Sequence, residues 1–262
     1  MSGLKLEIDK VGRVFPGAGG RTATVALQPT TLSVGANDFI TILGPSGCGK
    51  STLLRIVAGL DRQNEGEVRL DGRAVTGPGR DRGMVFQSYT LFPWLTVEEN
   101  IAFGLKESGV SATERAKIVA SYVEKVGLKG FERHWPKQLS GGMQQRTAIA
   151  RALANDPEIL LLDEPFGALD NQTRALMQEL LLGIWERERK TVLFVTHDIE
   201  ESLFLASRVL VMTARPGRIK SDIAVDLPYP RTYKIKTTAA FVALKERLTE
   251  EIRAEAIKAD AH

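Results

Sequence analysis

The sequence predicts an α/β protein with a parallel sheet core, an N-terminal antiparallel β part, a helical insert and a short C-terminal helical appendage. Three observations carry that reading. In the second half of the chain, short apolar runs alternate with helix-length stretches, as in parallel βαβ units. The strand-sized run Phe39–Leu43 enters a glycine-rich loop that opens onto a helix. Between about residues 88 and 155 the pattern turns mostly helical before the alternation resumes.

The elements follow in order. Residues 4–15 (LKLEIDKVGRVF) alternate apolar and polar and read as a strand, followed by the turn-rich PGAGG. After Phe39–Leu43, a helix over Lys50–Ala58 is closed by Gly59. Glu67–Leu70 alternates again and ends at Asp71-Gly72, a hairpin signal. In the insert, Thr96 with Glu99 and Ser111 with Glu114 have capping-box spacing, and the second pair opens a helix that Gly127 ends. Beyond Asp156-Pro157 the sequence predicts a strand at 158–162, a helix across about 171–189, a strand at 191–195, a helix at 198–206 and a strand at 208–212. The tail carries Pro216, Pro228 and Pro230. A helical stretch then places Phe241, Leu244, Leu248 and Ile252 on one face. The expected organisation is one domain over 1–220, with the insert at about 88–155, and a short extension over 221–262.

Composition narrows the function classes. Of 262 residues, 43% are hydrophobic, which excludes disordered and collagen-like chains. The one cysteine cannot form an intrachain disulfide, so a reducing compartment is expected. The start, MSGLKLEIDK, lacks the apolar stretch of a signal peptide. The densest apolar runs, Ile159–Leu162 and Val192–Val195, are far short of the roughly 18 residues of a spanning helix. Lys and Arg number 35 against 32 Asp and Glu, with no basic block, so nucleic acid is not an expected partner.

Two motifs carry chemistry. Gly44-Pro45-Ser46-Gly47-Cys48-Gly49-Lys50-Ser51, followed by Thr52, fits G-x-x-x-x-G-K-[ST] between a strand and a helix. Glycines let backbone N–H groups turn inward to cradle phosphates, and the helix N-terminus adds a partial positive charge of about +0.5. Lys50 supplies a point charge and Ser51 a hydroxyl ligand for Mg²⁺. Cys48 reads either as a reactive thiol, since a helix N-terminus lowers thiol pKa, or as a small residue at a variable loop position. The second motif is Ile159-Leu160-Leu161-Leu162-Asp163-Glu164, a buried-type strand ending in two acids beside the crevice of an open α/β sheet. Asp163 suits Mg²⁺, and Glu164 suits polarisation of an attacking water. Together the motifs predict hydrolysis of ATP or GTP.

Leu139-Ser140-Gly141-Gly142-Met143-Gln144-Gln145-Arg146, with an apolar helical stretch at Thr147–Ala154, forms a second anion site: a capping serine, two glycines and a helix N-terminus. These residues resemble the signature motif of ATP-binding-cassette ATPases, specifically the nucleotide-binding subunit of an ABC transporter. The resemblance runs from about residue 4 to 219 and implies a P-loop NTPase fold with a RecA-like core.

It also assigns roles. Gln87 is similar to the glutamine that ligates metal and water and senses the γ-phosphate. Ala168-Leu169-Asp170 is similar to the D-loop. His197 resembles the switch histidine that contacts the γ-phosphate; alone it reads equally as a surface histidine. Phe15 matches the position of an aromatic ring stacked on adenine, with a core aromatic as the other reading. The resemblance implies a head-to-tail dimer in which Ser140–Gly142 of one cassette closes on ATP held by Lys50 of the other. It also implies permease subunits docking near Tyr89–Leu95, where Leu91, Phe92 and Trp94 cluster; packing inside the insert is the alternative there. The stretches GPGRDRGMVFQSYTLFPWLTVEENIAFGL, LDEPFGALD and VLVMTARPGRI with LPYPR resemble the nitrate, sulfonate, taurine and bicarbonate importer group. The implied function is ATP-driven import of a small anion delivered by an extracytoplasmic binding protein. The implied location is the cytoplasmic face of the inner membrane. Import of another solute, or a cassette ATPase acting on nucleic acid, are the other readings.

Overall fold

The computed structural model describes residues 3–17, 22–88 and 90–260. Along the chain these form β1 (Leu4–Phe15), β2 (Thr24–Gly35), β3 (Phe39–Leu43), α1 (Lys50–Val57), β4 (Glu65–Leu70), β5 (Arg73–Ala74), β6 (Arg82–Val85), α2 (Val97–Glu107) and α3 (Ala112–Lys125). They continue with α4 (Gly141–Ala154), β7 (Ile159–Asp163), α5 (Asn171–Glu188), β8 (Thr191–Thr196), α6 (Ile199–Leu205), β9 (Arg208–Met212), β10 (Ile219–Ala224) and α7 (Ala239–Asp260). Short 3₁₀ turns occupy Pro136–Gln138 and Tyr233–Thr237. The chain divides into two compact units, Met1–Gly79 with Lys190–His262, and Arg80–Arg189.

The first unit holds an antiparallel sheet in the order β2-β1-β4-β5. Its central strand pairs Ile8 with Leu32 on one side and with Val68 on the other. Leu6, Ile8, Val34 and Leu70 are buried, so period-2 alternation has one packed face. The hairpin joining β4 to β5 turns at Asp71 and Gly72, both with positive φ (49° and 72°), as Asp-Gly turns favour. Strand β2 is not read from the sequence, because Pro29 interrupts TVALQPTTLSVG. It lies at the edge of its sheet, where a missing N–H is tolerated.

The same unit carries strands in the order β10-β9-β3-β8. The pairs β3·β8 and β3·β9 are parallel, and β10 runs antiparallel to β9. Every residue of β3 and β8 is buried, which explains their unbroken apolar character. The boundary expected near residue 220 falls inside β10. Beyond it, the buried Arg231 donates through Nη1 to the carbonyls of Leu203 (2.9 Å), Phe204 (3.1 Å) and Ala206 (2.8 Å) at the end of α6. Through Nη2 it reaches Leu227 O (3.0 Å), and its guanidinium lies 3.9 Å from the Tyr229 ring centroid. A cation placed on a helix's last carbonyls meets the negative end of its dipole. The tail helix α7 then buries Phe241 and Leu248 completely.

In the second unit, β6 pairs in parallel with β7, with Met84 opposite Leu161. Strand β6, only RGMV, offers too few alternating residues to be read from sequence. Helices α2, α3 and α4 bury Ile101, Val123, Ile149 and Leu153. The capping box at Thr96 is complete: its N–H donates to Glu99 Oε2 (2.8 Å), and its Oγ1 accepts from Glu99 N–H (3.3 Å). Helix α3 ends as expected, with Gly127 at φ 65°. Helix α4 begins at Gly141, ahead of the apolar stretch at Thr147 that signals it in the sequence.

Candidate nucleotide-binding site

In the first unit, β3 leads through the loop Gly44–Gly49 into α1. Gly49 is the N-cap at φ 100°, and no side chain caps this helix. A Cβ on Gly49 would stand 2.6 Å from Ala26 O, so only glycine fits both the dihedral and the space. Lys50 is buried, and its Nζ donates to Gly44 O and Pro45 O, both at 2.8 Å. The ammonium therefore lies across the loop, in the position of a point charge for an anion held by that loop. Ser51 and Thr52 follow, half-buried, on the first turn of α1. Ser46 and Gly47 are exposed, and Pro45 is half-buried.

Cys48 is fully buried, and burial pushes its thiol pKa up, against the smaller lowering influence of Lys50. That decides between its two sequence readings: a neutral, packed thiol is not a reactive one. Arg215, which sequence reasoning passes over, donates to Gly47 O through Nε (3.2 Å) and Nη2 (3.1 Å). His197 follows β8 directly and is exposed. Phe15 ends β1 half out of the protein (37% exposed), with the Arg13 guanidinium 4.5 Å from its ring centroid. The core-aromatic reading of Phe15 does not hold.

In the second unit, Asp163 is the buried last residue of β7. The next residue, Glu164, has φ 43°, a left-handed conformation that a non-glycine residue adopts at a cost of about 1–2 kcal/mol. That conformation turns the chain off the strand direction directly after Asp163. Gln87 lies exposed just beyond β6. Ser140 caps α4 by accepting from Met143 N–H (3.3 Å). Gly142 is buried, and a Cβ there would meet Thr173 Cγ2 at 2.6 Å. Gly141 stands half-buried beside it. Asp170 caps α5 through the N–H groups of Gln172 (3.1 Å) and Thr173 (3.0 Å). Hydrogen bonds from the Thr173 side chain and backbone hold its carboxyl below the usual range.

The aromatic patch is partly packed and partly open. Tyr89 lies outside the described residues. Phe92 packs at a tilt against Phe103 (centroids 4.4 Å apart) and Trp94 (5.6 Å), and Trp94 is 66% exposed. The loop is held by Asn100, a buried α2 residue unnoticed in the sequence. Its Nδ2 donates to the carbonyls of Phe92, Leu95 and Thr96 (2.9–3.2 Å), and its Oδ1 accepts from Phe92 N–H (2.9 Å). A cavity of about 500 Å³ beside it is lined by Arg82, Met84, Phe86, Phe92, Phe103 and Arg151, among others.

Residues 27–167 match the ABC transporter family model. The chain belongs to the ABC transporter family of ATP-binding proteins. It is 51% identical, over 97% of this chain and 94% of that one, to an uncharacterized ABC transporter ATP-binding protein of Methanocaldococcus jannaschii. It is 47% identical to the nitrate import ATP-binding protein NrtD of Synechocystis, over 95% of this chain and 96% of that one. The aliphatic sulfonates import ATP-binding protein SsuB of Bacillus cereus gives the same identity and the same coverage. Among solved structures, a dimeric ATP-binding cassette in a post-hydrolysis state with ADP and Pi matches at TM-score 0.75 and 35% identity, over 85% of this chain and all of that one. The ABC cassette reading, with its α/β P-loop NTPase fold, ATP binding and ATPase activity, therefore stands.

Proposed function

We propose that this ABC ATPase powers import of a small anion, such as nitrate, a sulfonate, taurine or bicarbonate, through a membrane permease. The observation that carries this reading is identity near one half, over almost the whole chain, to ATPases named for nitrate and sulfonate import. The cassette would sit at the cytoplasmic face of the inner membrane, with an extracytoplasmic binding protein delivering the solute. No helix among the described residues is long and apolar enough to cross a membrane. The exposed Trp94 and the cavity beside Phe92 supply a docking surface for the permease.

The site residues take the following roles. The backbone N–H groups of Gly44–Gly49 and the ammonium of Lys50 bind the phosphates of ATP, and Phe15 stacks on its adenine. Glu164 accepts a proton from the attacking water, while Gln87 and His197 orient that water and read the γ-phosphate. Ser51, Gln87 and Asp163 present hydroxyl, amide and carboxylate oxygens, a hard donor set that fits Mg²⁺ rather than a soft metal. When bound, Mg²⁺ neutralises charge on the phosphates. Among the described residues no cluster of three His, Cys, Asp or Glu side chains could hold a metal. Ser140, Gly141, Gly142 and Asp170 act on ATP held by a second cassette in a head-to-tail dimer, and in identical subunits the two sites are equivalent.

Replacing the proposed base tests the chemistry. Glu164→Gln is expected to keep ATP affinity, lower hydrolysis by about 10²–10⁴-fold and accumulate an ATP-dependent dimer in size-exclusion chromatography. Hydrolysis at the wild-type rate removes Glu164 from its role. For the transporter assignment, the double replacement Phe92→Ser with Trp94→Ser is expected to spare ATPase activity while abolishing co-purification with the permease. Retained co-purification returns these aromatics to internal packing.

A further inference from the structure

The C-terminal helix ends on an arrangement that the nucleotide chemistry does not use. Glu255 of α7 is almost completely buried (1% exposed). Its Oε2 accepts from Ala214 N–H (3.1 Å), while Oε1 accepts from Lys220 (3.1 Å) and Lys258 (2.8 Å). A buried carboxylate with this many donors is satisfied in place, and losing it leaves a backbone N–H unpaired.

Ala214 opens a tight turn closed by Thr213, whose hydroxyl donates to Pro216 O (3.1 Å) and accepts from Arg218 N–H (3.1 Å). That turn leans on the phosphate loop. Arg215 holds Gly47 O with two donors. Gly217 sits so close to Cys48 O that a Cβ on it would stand 1.8 Å away. Gly217 is itself pinned to β2, donating to Ala26 O (3.2 Å) and accepting from Gln28 N–H (2.8 Å). Ala26 O is also the atom that excludes a side chain at Gly49. Three consecutive loop residues, Gly47, Cys48 and Gly49, thus rest on one turn and the strand beside it.

The consequence lies in peptide orientation. A phosphate loop works by aiming N–H groups inward, which requires the carbonyls of the same peptides to aim elsewhere. Fixing Gly47 O and the space beside Cys48 O from behind fixes those peptide planes before nucleotide arrives. A loop held in its binding conformation loses less entropy on binding.

We propose that α7 is a positioning element for the phosphate loop, with Glu255 holding the turn at residues 213–217 and the turn holding Gly47 and Cys48 ready for ATP. This rests on the reading of Gly44–Ser51 as the phosphate-binding loop. It gives α7 a role in nucleotide affinity, exerted through the turn at residues 213–217.

The test is ATP affinity by isothermal titration calorimetry alongside thermal melting of the full chain. Glu255→Ala is expected to weaken ATP binding about three- to tenfold. Glu255→Gln keeps an oxygen acceptor for Ala214 N–H and is expected to stay within about twofold of wild type, although both variants melt earlier. Arg215→Ala, on an exposed side chain, is expected to weaken ATP binding like Glu255→Ala with little change in melting. The double variant is expected to be no weaker than the worse single one, because both act through the same turn. Should Glu255→Ala fail to fold, Thr213→Val, which removes the hydroxyl closing the turn, takes its place with the same expectation. Wild-type affinity in a folded Glu255→Ala or Thr213→Val chain, equal losses in the Gln and Ala variants, or additive losses in the double variant overturn the proposal. Lys50→Ala separates the two levels. If it too leaves ATP affinity unchanged, the reading of the loop itself fails; if it abolishes binding while Glu255→Ala does not, only the role of α7 fails.

Discussion

Two helices of this cassette begin on glycines, and the two beginnings are built differently. At the start of α1, Gly49 occupies φ 100°, no side chain caps the helix, and Lys50 is buried behind the loop. At the start of α4, Ser140 has extended backbone and caps the helix with its own hydroxyl, and both glycines lie inside the first turn. Any helix N-terminus offers unpaired N–H groups to an anion. The first has no side-chain cap and adds a cation. The second already satisfies one and adds no basic residue in its first turn. The difference fits the roles proposed above, with α1 holding ATP and α4 completing a site whose phosphates are held by a second cassette. The proposed head-to-tail dimer gives each its place.

The largest effect is expected from removing the conformational freedom of α1's cap. Gly49→Ala combines left-handed strain of about 1–2 kcal/mol with a collision against Ala26 O at 2.6 Å. The loop must shift, and ATP affinity is expected to fall at least tenfold, about 1.4 kcal/mol. Gly72→Ala is the matched control: it has φ 72° and open space around it, so it carries the strain alone. It is expected to lower the melting temperature by a few degrees and leave ATP binding intact. Equal ATP affinity in the two variants would remove the distinction drawn for α1.

How much of this was legible depends on where the determining forces act. The phosphate loop, the strand before it and the acids after β7 are local patterns, so spacing alone reveals them. The capping box at Thr96, the Ser111 cap on Glu114 N–H and the turn at Asp71-Gly72 are likewise set by neighbours three or fewer residues away. What the sequence hid depends on partners distant along the chain. Strand β2 exists despite Pro29 because it is an edge strand of its sheet, where one missing N–H is tolerated. Asn100 reads as a polar residue in a helix until its amide is found gathering the loop at Phe92–Thr96. Arg215 and Glu255 lie 168 and 41 residues from the backbone groups they hold. No spacing rule relates such pairs, so the support of the loop was illegible where the loop itself was plain. The positive φ of Glu164 was hidden for a different reason, since strain leaves no mark on residue type.

A smaller effect probes the other side of the comparison. Ser140→Ala removes a cap worth about 1 kcal/mol, which in a chain of this size lowers the melting temperature by about 2–4 °C. If Ser140 only caps α4, nothing further changes. If the start of α4 also closes on ATP held by a partner cassette, the same replacement acts twice. Binding of ATP to the isolated chain is expected to stay at the wild-type level, because Lys50 and its loop are untouched. ATP-dependent dimerisation, measured by sedimentation in the Glu164→Gln background, is expected to weaken several-fold, by about 1 kcal/mol for one lost hydrogen bond. An unchanged dimer constant together with the lower melting temperature would confine Ser140 to its own helix. A weakened affinity of the isolated chain for ATP would instead break the division of labour between the two helix beginnings.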